Sequence, residues 1–75
     1  MEPDDMFKAR SLQEELAAHP EVDAWFDRLV ARSVERGERP AWKLVKQYLV
    51  NAGLEVGVTE NPIKRVYRAR GGWDA

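Results

Sequence analysis

Apolar residues along this chain recur at three- and four-residue spacings, the period that gathers them on one face of an α-helix. The clearest run is Val22, Trp25, Phe26, Leu29, Val30 and Ser33, with Asp23, Asp27, Arg28 and Glu35 on the other side. It predicts a helix over residues 20–36, acidic toward its start and closed by Arg32 and Arg36, as the helix dipole favours. A second stripe, Ala41, Leu44, Val45, Tyr48, Leu49 and Ala52, predicts a helix over residues 40–52. Ile63, Val66 and Tyr67 predict a third over residues 60–70. Leu12 and Leu16 predict a shorter one over residues 11–18. It opens on Ser11-Leu12-Gln13-Glu14, where the hydroxyl accepts a backbone N–H and the glutamate reaches back. Leu54, Val56 and Val58 alternate instead, the mark of a short extended piece between the last two helices.

Proline and glycine punctuate this pattern. Pro20, Pro40 and Pro62 stand where a helix can begin, because the first helical N–H has no partner to lose. Gly37, Gly53 and Gly71 stand where one can end in the left-handed conformation. Three such intervals in order predict consecutive helices. The fold class expected is all-α: one compact domain over residues 1–75 with about four short helices. Residues 1–5 are expected to fray, and residues 71–75 to form a flexible tail. Met6 and Phe7 either extend the first helix or form an arm across the domain. Trp73 either folds back or reaches a second subunit.

A chain of 75 residues supports one core and buries only ~60% of the surface its unfolded form exposes. Pairing with a second copy would add burial, so a homodimer is expected. Cysteine is absent, which excludes disulfides and thiolate metal sites and fits a reducing compartment. No apolar run approaches the ~20 residues of a membrane span. The acidic start Met1-Glu2-Pro3-Asp4-Asp5 carries no signal-peptide core. Cytoplasmic residence without a membrane partner follows as the expectation.

Catalytic chemistry finds little to work with. His19 is the single histidine, and before Pro20 it reads as a cap or surface residue rather than a base. It has no clustered partners at metal-ligand spacing. The acids Asp23, Asp27, Glu35 and Glu38 fall on a solvated face beside arginines, where nothing raises a carboxyl toward general-acid duty. The glycines form no phosphate-binding loop. No enzyme activity, cofactor or metal is expected. Trp25, Phe26, Trp42 and Tyr48 lie on or beside the apolar stripes and are assigned to the core.

Charge is unevenly distributed along the chain. The net charge of −1 conceals two poles: residues 1–38 carry ten acids and five bases, residues 39–75 three acids and seven bases. Such a dipole attracts a polyanion at one end and repels it at the other. The basic pole includes Asn61, Lys64, Arg65 and Arg68 within about 100° on the outer face of the last helix. Arginine and lysine can address guanine O6 and N7, and asparagine can address adenine N6 and N7. Lys43, Lys46 and Gln47 on the preceding helix suit phosphate contacts, which position without reading sequence.

The stretch from Leu49 to Arg68 resembles the twenty-residue pattern of the helix-turn-helix DNA-binding proteins. It has a small residue at Gly53, a turn glycine at Gly57, and apolar residues at Ala52, Val56, Val58, Ile63 and Val66. The resemblance implies a helix-turn-helix-like C-terminal half with a recognition helix from Thr59 onward. It also implies double-stranded DNA as partner and a small transcriptional regulator, which the size of the chain places as of phage, plasmid or bacterial type. Two features depart from the pattern. Asn51-Ala52-Gly53 reads as a helix end, which lengthens the turn beyond the usual ~3–4 residues, and Pro62 falls in the first turn of the reading helix. A different class of function stays open beside it: a protein-interaction module whose acidic half binds a larger protein, such as a polymerase or nuclease. RNA binding is a third.

Overall fold

The computed structural model describes residues 11–72. They form four helices and, among the described residues, no strand: α1 (Leu12–Ala17), α2 (Pro20–Arg36), α3 (Trp42–Asn51) and α4 (Asn61–Ala69). The readings for Met6, Phe7, Trp73 and the outermost residues of both termini lie outside the described residues.

Local chemistry sets each boundary. Ser11 is extended and its Oγ accepts the Glu14 N–H at 3.2 Å, so α1 starts where the capping serine predicts. Pro20 is the first residue of α2, and Gly37 ends it at φ 65°. There the Gly37 N–H donates to the Val34 carbonyl and the Glu38 N–H to Ser33, the paired closure that a left-handed residue allows. Equivalent bonds end α3 (Gly53 to Val50, Leu54 to Leu49) and α4 (Gly71 to Arg68, Gly72 to Tyr67). Gly71 and Gly72, expected in a loose tail, therefore belong to the end of α4. A Cβ on Gly72 would meet the Tyr67 ring at 2.3 Å, so only glycine passes so close.

Pro40 does not start α3. Ala41 is the extended residue whose carbonyl accepts the first helical bonds, from Leu44 and Val45. The residues between are used to reverse the chain, and a buried network fixes them. Ser33 Oγ donates to the Glu38 carbonyl, and it accepts from the Tyr67 hydroxyl at 2.7 Å. One serine on the apolar stripe of α2 thereby ties the α2–α3 connection to α4.

Each helix contributes one fully buried anchor: Leu16, Phe26, Leu49 and Ile63. Val22, Val30, Val45, Val66 and Tyr67 surround them. α1 packs against both α2 and α4. Its Glu15 is only 6% exposed, and Oε1 accepts the Glu55 N–H at 3.0 Å. That bond offsets the cost of taking a carboxylate out of water and fastens the α3–α4 connection to α1.

Two expectations for the core are corrected. Leu44 is 71% exposed and Tyr48 43%, although both sat on the expected stripe of α3. The helix is rotated so that Trp42, with the larger apolar surface, faces inward beside Val45 and Leu49. Trp42 meets Tyr67 edge-on at 5.1 Å, which turns Leu44 out to solvent. Of the aromatics assigned to the core, Phe26 is fully buried, while Trp25 and Trp42 are half-buried at its border. The short piece through Leu54, Val56 and Val58 forms no sheet among the described residues. Leu54 and Val56 are buried, Gly57 turns the chain at φ 82°, and Val58 is left 90% exposed.

Candidate nucleic-acid interface

α4 separates its residues sharply. Ile63, Val66 and Tyr67 are buried against α1, α2 and α3, whereas Asn61, Arg65 and Arg68 are exposed and Lys64 is half-buried beside them. With Ile63, Val66 and Tyr67 fixed inward, the 100° rotation per residue directs these four to the outward sector. Pro62 sits in the first turn, where its missing N–H costs no helical bond. The four α4 residues expected to read bases thus share one face.

The residues expected to touch phosphate are less uniform. Lys43 is exposed, next to Trp42 at the end of α3 that abuts Tyr67. Lys46 Nζ donates to the Val58 carbonyl at 2.6 Å, so it holds the α3–α4 connection just before α4 begins. Gln47 Nε2 donates to Asn51 Oδ1 at 3.0 Å within α3. Lys43 is therefore presented outward, while Lys46 and Gln47 have local partners.

Residues 52–60 link α3 to α4, so nine residues separate the two helices rather than the three or four of the usual helix-turn-helix. The closure by Gly53 and Leu54 ends α3 early, and the buried Leu54 and Val56 carry the connection across the core. Val58, an apolar position of the family pattern, points into solvent.

Arg70 was counted with the basic pole, yet the fold turns it the other way. Its guanidinium pairs with Asp23 Oδ1 and with Asp27 Oδ1 at 2.8 Å, and reaches Gln13 Oε1 at 3.3 Å. It also lies 5.5 Å from the centre of the Phe26 ring. Burial works to lower its pKa. The hydrogen bonds and charges of Asp23 and Asp27 together outweigh that and hold it above its ordinary value. Asp23 and Asp27 thus balance an arginine, as expected of that face, but one that comes from the end of α4 rather than from α2 itself. Both are committed to the end of α4, and the acidic face of α2 is partly neutralised at its centre.

A largely apolar groove of about 850 Å³ runs beside α4, between Ser11–Gln13 at the start of α1 and Glu55–Gly57 of the connection, with Arg65 and Ala69 on its α4 side. The sequence pattern gave no sign of it, because its walls come from three separate segments. His19 lies at the start of α2 with Nδ1 donating to the Glu15 carbonyl at 2.9 Å. Among the described residues no three of His, Cys, Asp and Glu gather as metal ligands, and no helix is long and apolar enough to cross a membrane. Comparisons with protein-family models, with curated proteins and with solved structures found no match.

Proposed function

We propose that this protein binds double-stranded DNA through the outward face of α4 and acts as a small transcriptional regulator in the cytoplasm. The observation that carries the reading is the grouping of Asn61, Lys64, Arg65 and Arg68 opposite the buried Ile63, Val66 and Tyr67. An α-helix with its side chains is ~10–12 Å in diameter, and the major groove is ~12 Å wide, so α4 has the girth to lie in it. Lys43 on the adjoining end of α3 adds a positioning charge. The rival idea of an acidic working surface loses support, since Asp23 and Asp27 are already engaged by Arg70.

The test is a titration of random-sequence duplex DNA at two salt concentrations, followed by selection of preferred sites. Neutralising about four phosphates with Lys43, Lys64, Arg65 and Arg68 predicts a log–log salt slope of roughly −3 to −4. Absence of binding at ~50 mM salt, or binding indifferent to salt, refutes the reading.

A further inference from the structure

A strip of apolar and charged side chains faces away from α4. Trp25 stacks on Tyr48 with ring centres 4.0 Å apart and planes 20° from parallel. Leu44 stands one turn before Tyr48 and is 71% exposed. On α3 these two occupy the flank opposite Lys46 and Trp42, which face the connection and Tyr67. On α2 the strip continues through Glu21, Trp25, Arg28 and Arg32, at i, i+4, i+7 and i+11, and the three charged members are exposed. None of those three makes an ion pair among the described residues.

We propose that this strip is a homodimer interface, occupied by the same strip of a second copy. The order of charges along α2 argues for that occupant. A two-fold axis between Trp25 and Arg28 sets two α2 helices antiparallel. It brings Arg32 level with Glu21 of the partner subunit, and Arg28 level with Trp25 of the partner subunit. Every charge on the strip thereby meets an opposite charge or an aromatic face, and the arrangement repeats itself under the symmetry, as an isologous interface requires. Trp, Tyr and Arg are also the side chains that dominate interface energetics. The pairing leaves α4 uncovered and does not rest on the DNA reading.

Sedimentation of the full chain without DNA, from about 5 to about 500 µM, tests this directly. The expected result is a mass that rises from 8.6 kDa toward twice that value. Leu44→Glu should weaken the dimer at least about tenfold, as should Glu21→Arg or Arg32→Glu alone, since each sets like charges or a bare charge across the axis. The combined Glu21→Arg/Arg32→Glu variant should restore the affinity. Circular dichroism checks the fold. Were Leu44→Glu to lose helix, the charge exchange decides alone. A monomer at every concentration overturns the proposal and leaves the strip to a different protein. So does a dimer that ignores these changes, or charge reversals that fail to compensate each other.

Discussion

Replacing Arg70 with alanine should cost this domain a large part of its stability, even though the residue is a C-terminal arginine in a basic stretch. Its side chain is only 14% exposed and holds Asp23 and Asp27, which are 35% and 62% exposed. Removing one partner of a fully buried pair costs ~3–5 kcal/mol, and an exposed pair contributes only ~0.2–1 kcal/mol. Here water can reach both stranded acids, most freely Asp27, which sets the electrostatic loss near ~1–2 kcal/mol. The guanidinium over the Phe26 ring adds a cation–π contact worth about 1 kcal/mol. The total, ~2–3 kcal/mol, should lower the melting temperature by roughly 10–20 °C at ~4–8 °C per kcal/mol for a domain of this size. Thermal melts followed by circular dichroism measure it. Arg70→Met keeps a flexible apolar stem and isolates the charge, so it should fall between wild type and Arg70→Ala. A double cycle with Asp23→Asn should return a coupling of ~0.5–3 kcal/mol. A melting point for Arg70→Ala within about 3 °C of wild type refutes the argument and makes Arg70 a surface cation.

Other outcomes follow from the same packing. Phe26→Ala removes the fully buried anchor of α2 and should leave no cooperative thermal transition, because ~3–5 kcal/mol approaches the whole stability of a small domain. Tyr67→Phe keeps the ring and removes the hydroxyl that donates to Ser33 Oγ, so denaturant titration should report a loss of ~1–2 kcal/mol with helix content unchanged. Gly72→Ala must displace the Tyr67 ring and should cost ~1–3 kcal/mol by the same titration. Arg65→Ala should melt within ~0.5 kcal/mol of wild type while losing ~1–3 kcal/mol of DNA affinity; full retention of affinity in a binding assay removes Arg65 from the interface.

Much of the fold was legible because periodicity and punctuation agreed. Pro20 and Gly37 bound α2 as expected, and Ile63, Val66 and Tyr67 are the buried face of α4. The errors have physical causes. On α3, two overlapping stripes competed, one through Leu44 and Tyr48 and one through Trp42, Val45 and Leu49. Their ranking depends on Tyr67, a partner that the local pattern does not contain. Val58 looked apolar and therefore inward, but the positive φ of Gly57 redirects the chain. Arg70 and Glu15 were missed despite a signal in the sequence. Arg70 extends the α4 stripe at i+7 from Ile63, and Glu15 sits between Leu12 and Leu16 on the α1 stripe. A charge on a buried stripe implies a partner across the core, and here Asp23 and the Glu55 N–H supply one each. The outward face of α4 was legible in full, since the opposite face fixed it. The partners of Lys46 and Gln47 were not, because both depend on where the α3–α4 connection runs.

Because each helix supplies a single wholly enclosed anchor, no pair of helices holds a core of its own. Opening α4 withdraws Ile63 and Tyr67, which exposes Trp42 and unties Ser33 from the α2–α3 connection. Releasing α1 frees Leu16 and also the Glu55 backbone held by Glu15. The most protected amides in all four helices should therefore exchange with deuterium at one common rate, set by global unfolding rather than by local breathing. Native-state exchange at low denaturant would reveal a single cooperative unit, so a change on one helix would be felt equally by the other three.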